Sequence, residues 1–240
     1  MCGRYATTRS AADLSALFES YDETGGSLSA DYNVAPTDPV PIVRLSRSRS
    51  IRVLSVARWG LVPAWAKDTR SAAKMINARA ETVANSTAYA RSFAVRRCLV
   101  PADGWYEWVR SASGRKQPYF MTSHDGRPLA FAGLWSVWGA PDPILTCSVI
   151  TTAAVGDLAL VHDRMPLLLP PARRADWLAG GGDAGELLAA PAPEDLSRIE
   201  IRPVGPAVGD VRNDGPALVE RVPAPPLGRP IMEPVELTLF

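Results

Sequence analysis

Between residues 98 and 151 the sequence breaks into short strand-like runs, each bounded by residues that favour turns. Such runs, joined by short turns, are typical of strands that pair with their neighbours in antiparallel order. The pattern therefore predicts a largely antiparallel sheet at the centre of the chain. The predicted strands cover residues 98–100, 106–109, 118–122, 129–135 and 144–151.

Helical patterns flank this region. Ser10 followed by Asp13 forms a capping box, which predicts a helix to about residue 21 with Leu14, Leu17 and Phe18 on one face. The sequence shows neither an internal repeat nor an alternation of strands with crossover helices, so we predict an α+β fold. Further helices are predicted over residues 81–93, 173–178 and 186–189, and further strands over residues 41–45 and 51–59.

The length and composition favour one domain. A chain of 240 residues with 47% apolar residues can bury one substantial core. From Val222 onward the sequence is rich in proline, and we expect an exposed tail over residues 222–240.

The net charge of +1 gives no overall signal for a polyanionic partner. Any nucleic-acid surface must then be local, and the two arginine clusters, at residues 44–52 and 91–97, are of a kind that usually lies on solvated faces. The sequence has no apolar leader before Cys2 and no long apolar span. We expect a soluble cytoplasmic protein without membrane contact.

The three cysteines do not fit a metal site or a disulfide framework. Cys2, Cys98 and Cys147 are odd in number and widely spaced, and the histidines His124 and His162 are equally scattered. Cys98 and Cys147 lie in apolar runs, where cysteine behaves as a small buried hydrophobic residue. We expect no metal and no cofactor, and only Cys2 is left without a packing explanation.

Cys2 directly follows the initiator, and cysteine is small enough to permit removal of Met1. Processing would give Cys2 a free α-amine and a thiol, whose ordinary pKa values are about 8 and about 8.5. Two nucleophiles two carbons apart suit an aldehyde, because the amine forms an imine and the thiolate then closes a thiazolidine ring. The alternative is a frayed, inert terminus.

Several other segments are not explained as periodic core. Strand alternation places Trp105 and Glu107 on one face, and a carboxyl group against a tryptophan is a setting that raises its pKa, as a general acid requires. Glu107 facing water is the equal alternative. His162 in isolation is more often structural than catalytic. Asn77 would ordinarily cap a turn or helix, and Trp59 would ordinarily belong to the core.

Taken together, these segments resemble the SOS response-associated peptidase (SRAP) family, the abasic-site shielding proteins. The matches run in family order along most of the chain. They are residues 1–5 (MCGRY), 32–36 (YNVAP), 59–60 (WG), 76–79 (INAR), 103–108 (DGWYEW), 151–154 (TTAA), 162–166 (HDRMP) and 207–211 (AVGDV). The resemblance implies a single SRAP domain over residues 1–221 with a barrel-like β core flanked by helices.

The family resemblance also implies a chemistry. Family members form a thiazolidine adduct with the ring-opened aldehyde of an abasic site in single-stranded DNA, and Cys2 would carry this step. His162 would move protons during ring opening and imine formation. Glu107 would protonate the departing hydroxyl and assist reversal, and Asn77 would fix the sugar or the amine. The imine also makes weak strand cleavage by β-elimination available.

The DNA contacts implied by the resemblance lie in other segments. Arg4 and Arg79 would contact phosphates that flank the lesion, and Trp65 with Pro63 would offer an apolar surface to the bases. Aromatic stacking on single-stranded bases is worth about 1–3 kcal/mol per base. Thr151 is a further candidate for a phosphate or sugar contact.

The resemblance leads us to expect a monomer associated with the nucleoid.

The C-terminal residues suggest a partner. The chain ends in Glu236, Leu237, Thr238, Leu239 and Phe240, which resembles the motif by which bacterial repair proteins dock on the sliding clamp. Glu236 departs from the usual Gln, and a packed strand or an incidental apolar end is the alternative. Docking would raise the local concentration of the protein at forks, and deletion of the five residues should then abolish clamp capture.

Two other functions remain open at this stage. An N-terminal-nucleophile hydrolase would use Cys2 to cleave amides, and it would show peptide turnover. A non-catalytic module would bind single-stranded DNA reversibly, with Cys2 incidental.

Overall fold

The structure is a computed structural model that describes residues 3–46, 48, 50–110, 114, 116–180, 182–224 and 227. Cys2 and the proposed clamp motif at residues 236–240 lie outside the described residues. In the described part of the chain, no helix has the length and apolar character needed to cross a membrane.

Strands dominate the described residues. The strands are β1 (Tyr5–Thr7), β2 (Tyr21–Asp22), β3 (Asp31–Val34), β4 (Pro39–Ser46), β5 (Ile51–Trp59), β6 (Asn77–Arg79), β7 (Arg97–Ala102), β8 (Gly104–Arg110), β9 (Lys116–Ser123), β10 (Leu129–Trp138), β11 (Ile144–Ala153), β12 (Arg164–Pro166) and β13 (Ile199–Pro203). The helices are α1 (Ala11–Phe18), α2 (Ala80–Val83), α3 (Ala90–Val95), α4 (Pro171–Ala179), α5 (Ala184–Leu188) and α6 (Pro193–Leu196).

Five strands close into a barrel. β11, β10, β7, β4 and β5 are antiparallel neighbours in that order. The ring closes where β5 meets β11 in parallel, with Arg58 opposite Thr146 and Trp59 opposite Cys147. This arrangement confirms the predicted α+β fold with a mostly antiparallel, barrel-like core.

A second antiparallel sheet, in the order β13-β9-β8-β1-β3, packs against the barrel. Residues from both sheets share one buried cluster, in which aromatic rings meet edge to face. The Tyr5 and Trp59 ring centroids are 5.0 Å apart, and those of Trp105 and Phe131 are 6.0 Å apart. Such pairs add about 0.5–1.5 kcal/mol each beyond the area they bury. This packing fixes β1, and with it the N-terminal segment, against the end of the barrel.

The helices cover the outer face of the barrel, where Leu14, Phe18 and Trp177 belong to a second buried cluster. As predicted, Ser10 caps α1 by accepting a hydrogen bond from the Asp13 N–H over 3.1 Å. The helix ends at Phe18 rather than near residue 21, because Glu19 adopts a left-handed backbone (φ 51°) and the chain then enters β2.

The prediction of one helix over residues 81–93 was wrong. The segment forms α2 and α3, which are separated by turns in which Asn85 N–H bonds to Thr82 O and Tyr89 N–H to Ser86 O. Asn, Ser and Thr compete with the helix for backbone hydrogen bonds, so a run of them ends it. The break places Tyr89 where its hydroxyl donates to Asn77 O over 3.1 Å.

The region after residue 221 is partly described. The Val222 N–H donates to Pro203 O over 2.9 Å, and Leu227 is partly buried against the cluster between the two sheets. The described residues of the expected tail therefore lie against the body of the protein.

Candidate active site

A narrow cleft, too tight to hold a water molecule, lies where the two sheets meet, beside the start of β1. Its walls come from strands that are distant in sequence but paired in space. Asn77 on β6 lies opposite Val149 on β11, and Tyr5 on β1 lies opposite Trp105 on β8. The lining residues are Arg4, Tyr5, Trp59, Asn77, Trp105, Phe131, Val149 and Pro166.

The described part of the chain begins at Gly3, next to this cleft. Arg4, two positions after Cys2, is the first described residue of the cleft wall. The other two cysteines, Cys98 and Cys147, are fully buried, and burial raises the pKa of both thiols. They are therefore held as neutral thiols and cannot serve as nucleophiles at ordinary pH.

Asn77 is held in place through its backbone. Its carbonyl accepts the Tyr89 hydroxyl hydrogen bond, and the preceding carbonyl, that of Ile76, accepts from Trp59 Nε1 over 3.0 Å and from the Val149 N–H over 2.8 Å. The half-buried Asn77 side chain is thus presented to the cleft from a rigid strand.

Glu107 is inside the protein. It is only 4% exposed and lies in β8 opposite Tyr119, two residues from the buried Trp105. The alternative in which Glu107 faces water is therefore excluded. The Tyr106 N–H donates to Arg4 O over 3.0 Å, so Glu107, the next residue on β8, lies beside the N-terminal segment.

His162 lies just before β12, in the loop that follows the short 3-10 turn Gly156–Leu160. Its Nδ1 accepts the Arg164 N–H over 2.9 Å and is also 2.7 Å from Asp163 Oδ1. One nitrogen cannot accept the first bond and donate the second, so the two contacts belong to different protonation states. The Asp163 side chain is 85% exposed and hydrated, whereas the Arg164 N–H is fixed at the start of β12. The neutral ring accepts from the Arg164 N–H, and the protonated ring donates to Asp163.

Arg164 ties three elements together next to His162. Its guanidinium makes a two-pronged ion pair with Glu81, at 2.6 and 2.9 Å, and donates to Thr151 O over 2.7 Å. The hydrogen bond from Arg164 lowers the pKa of Glu81. Sequence reasoning did not assign a role to Glu81 or Arg164, although both lie within segments that it singled out.

The predicted DNA contacts differ in exposure. Arg79 is exposed and lies opposite Thr151 in the pairing of β6 with β11. Thr151 itself is fully buried, with its hydroxyl 3.4 Å from Arg164 Nη2. A direct contact of Thr151 with DNA stays a prediction, and it would require the buried strand to open.

The loop after β5 presents Trp65, whose exposed fraction of 71% is unusual for so large an apolar side chain. Pro63 is buried beneath it. The loop is held because Trp138 Nε1 donates to Ala66 O over 2.7 Å, and because Gly60 turns sharply with φ at +132°. A Cβ at Gly60 would lie 2.4 Å from Ala72 O, so glycine is required there.

The described residues contain no group of three or more His, Cys, Asp or Glu side chains placed to hold a metal ion. The polar side chains that line the cleft are the Asn77 amide and the Arg4 guanidinium, and neither Glu107 nor His162 is among its lining residues. The fold and the cleft define a class of barrel proteins with a narrow, largely aromatic cleft between the barrel and a second sheet.

The chain belongs to the SOS response associated peptidase (SRAP) family, whose family model matches residues 1–211. It is 34% identical over 225 residues to the abasic site processing protein YoqW of Bacillus subtilis, covering 92% of this chain and 99% of that protein. It is 31% identical to the abasic site processing protein YedK of Escherichia coli, covering 92% and 100%. It is also 31% identical to the abasic site processing protein HMCES of Gallus gallus, covering 90% and 76%.

Solved structures show the same fold. A protein from Bacteroides thetaiotaomicron superposes with a TM-score of 0.79 at 23% identity, covering 92% of this chain and all of that one. A protein from Bordetella bronchiseptica superposes with a TM-score of 0.68 at 25% identity, covering 85% and 100%. The family resemblance inferred from the sequence motifs is confirmed.

Proposed function

We propose that this protein captures abasic sites in single-stranded DNA as a covalent thiazolidine adduct of Cys2. The observation that carries the proposal is that the cleft wall begins at Arg4, two residues after Cys2, and includes Asn77. The names of the relatives, which describe abasic site processing, support the substrate. An abasic nucleotide has no base to unstack, so turning its sugar out of the strand toward the protein costs little.

The proposed reaction has two bond-forming steps at one carbon. The Cys2 amine adds to the sugar aldehyde, and the resulting carbinolamine loses its hydroxyl as water to give an imine. The Cys2 thiolate then adds to the imine carbon, a proton reaches the nitrogen, and the five-membered ring closes. Ring closure consumes the imine and so suppresses strand cleavage by β-elimination.

The surrounding side chains fit the proton transfers. In its protonated form, His162 would donate Nδ1–H to Asp163 and pass the Nε2 proton to the sugar ring oxygen during opening, which leaves a neutral ring whose Nε2 can later recover a proton. Glu107 is shielded from water, and in its protonated form it would assist departure of the carbinolamine hydroxyl. Asn77 would hold the sugar or the amine with an uncharged amide.

The test is incubation of the purified protein with a single-stranded oligonucleotide that contains one abasic site. We expect an adduct that resists heat and detergent and is lost in Cys2→Ala. Cys2→Ser is the matched variant, because it retains the amine and should give only a reversible imine that does not survive heat and detergent. A protein that retains Met1 should form no thiazolidine.

The same experiment separates the other two functions. Reversible DNA binding without an adduct, unchanged in Cys2→Ala, would favour a non-covalent module. Turnover of peptides or thioesters without an adduct would favour an N-terminal-nucleophile hydrolase. His162→Ala should slow adduct formation by about 10²–10⁴-fold if the imidazole is the general acid and base, and an unchanged rate would remove it from the mechanism.

A further inference from the structure

A groove separate from the cleft beside Arg4 has a charge arrangement that the proposed chemistry does not use. It lies between the end of α1, the start of β10 and the start of α4, and it encloses about 400 Å³. That size is within the range of about 300–1,000 Å³ found for ligand sites. It shares no lining residue with the cleft. We call it the α1–α4 groove.

The floor of the α1–α4 groove is apolar. Phe18, Leu168 and Leu169 are buried there, and Pro170 is half-buried. Leu17, at its edge, is 48% exposed, although it lies on the same helix turn as the buried Phe18. The groove therefore offers an open apolar surface that the described residues do not cover.

The rim carries more positive than negative charge, because Arg127, Arg174 and Arg198 line it together with Asp195. The Arg174 guanidinium lies 4.9 Å from the centre of the Phe18 ring, and its Nε donates to Leu169 O over 3.2 Å. Burial lowers the pKa of Arg174, and the charges of Arg52 and Arg198 lower it further. Within the described ranges, no carboxylate lies within ion-pair distance of Arg174 or Arg198.

We infer that the α1–α4 groove binds an acidic peptide segment of a protein partner, with an apolar side chain on the groove floor and a carboxylate on Arg174 and Arg198. A guanidinium fork matches a carboxylate in geometry, and such charge-assisted bonds are stronger than neutral ones. A carboxylate placed here would also relieve the repulsion among the three arginines. The binding mode is independent of abasic-site capture.

A nucleic-acid strand fits the groove less well. The floor consists of aliphatic and proline side chains, and the face of Phe18 is already covered by Arg174, so bases have no free ring for stacking. Asp195, which also lines the groove, opposes a continuous run of phosphates. A peptide whose carboxylates are spaced apart can keep them away from Asp195. It can also pack an apolar side chain against the groove floor.

The test is fluorescence anisotropy of a labelled heptapeptide of four aspartates and three leucines, titrated with the full chain. We expect binding that weakens about tenfold or more in Arg174→Met, which retains the packing on Phe18 but removes the charge. Leu17→Ser should also weaken it. Arg91→Met, an exposed arginine on α3, is the matched control and should change affinity less than twofold.

Two variant peptides and a single-stranded DNA test the inference further. A heptapeptide with asparagine in place of aspartate, and one with serine in place of leucine, should both bind at least tenfold more weakly. Equal binding of the asparagine peptide, or no binding of the acidic peptide up to about 1 mM, would overturn the inference. A loss of single-stranded DNA binding in Arg174→Met that matches the loss of peptide binding would also overturn it, in favour of a nucleic-acid surface.

The chain's own C-terminal residues are the remaining candidate occupant, since Glu233 and Glu236 lie among apolar residues. In the full chain, Glu233→Gln with Glu236→Gln should leave peptide affinity unchanged if the groove is open to a partner. A tenfold gain in affinity would show that these residues compete for the groove and would overturn the partner assignment. Adduct formation on abasic DNA should be unaffected by Arg174→Met, so the two proposals fail separately.

Discussion

Arg4 Nη1 donates a hydrogen bond to Asn33 Oδ1 over 2.7 Å at the mouth of the candidate active site. The same nitrogen donates to Val208 O over 3.0 Å, while Asn33 Nδ2 donates to the carbonyls of Asp210 and Asn213, each over 2.9 Å. Asn33 on β3 thus connects the segment that carries Arg4 with a segment more than 200 residues later in the chain. Arg4, which lines the cleft, is held by residues that do not line it themselves.

Asn33→Ala should therefore affect both stability and capture. The change removes three hydrogen bonds from a site that is 3% exposed, and it leaves buried donors and acceptors unsatisfied. We expect a loss of about 1–3 kcal/mol in the free energy of unfolding, measured with urea, and slower adduct formation on abasic DNA. Asn85→Ala, at an exposed position between α2 and α3, is the control. Equal stability and equal rates for Asn33→Ala and wild type would contradict this role of Asn33.

Trp65→Ala should weaken binding to single-stranded DNA without destabilising the fold. The side chain is 71% exposed, so little core packing is lost, while one stacking contact worth about 1–3 kcal/mol disappears. The measurement is the dissociation constant for an intact, non-abasic oligonucleotide together with urea unfolding. Tyr21→Ala is the matched control, because Tyr21 is 59% exposed on β2, beside Val53 and thus well away from the Trp59 end of β5. Equal effects of the two substitutions would argue against stacking at Trp65.

The central strands could be predicted because their alternation and turns are local properties of the sequence. Closure of the barrel could not, since it depends on the parallel contact of Trp59 with Cys147, 88 positions apart. The same limit applies to the site. Asn77 and Glu107 belong to recognisable segments, whereas the roles of Asn33 and Arg164 follow only from partners that folding brings together.

The break in the helix predicted over residues 81–93 has a comparable cause. The apolar spacing of that segment is compatible with one helix, but the polar residues at 85–87 favour turns. The hydrogen bond from Tyr89 to Asn77 O, at the start of β6, acts in the same direction. The local turn residues could be read from the sequence, whereas the tertiary contact could not.

Gly60→Ala should destabilise the protein through a steric conflict with a backbone atom. The new Cβ would lie 2.4 Å from Ala72 O, and φ at +132° is strained for alanine. We expect a loss of about 2–3 kcal/mol in the free energy of unfolding and weaker DNA binding through displacement of the Trp65 loop. Gly25→Ala is the control, because Gly25 also has a positive φ (+60°) but no atom within 4 Å of the added carbon. If both variants lose the same stability, the contact with Ala72 is not the cause.

The ion pairs of Glu200 should make the free energy of unfolding depend on pH. Arg202 Nη2 lies 2.8 Å from Glu200 Oε2, and Arg221 pairs with the other carboxylate oxygen. Hydrogen bonding from Arg202 is the main cause that lowers the pKa of Glu200 from an ordinary value of 4.5 to about 2. Because the folded-state pKa is the lower one, the carboxylate stabilises the fold above pH 4.5, and this stabilisation is lost as the pH falls toward 2.

Urea unfolding of wild type and Glu200→Gln across this range is the measurement. The stability difference between the two should be largest above pH 4.5 and should shrink steadily as the pH falls toward about 2. Glu194→Gln, at an exposed position on α6, corrects for the general effect of removing one negative charge. A difference for Glu200→Gln that stays constant with pH would show that the ion pairs with Arg202 and Arg221 do not set the acid sensitivity of the fold.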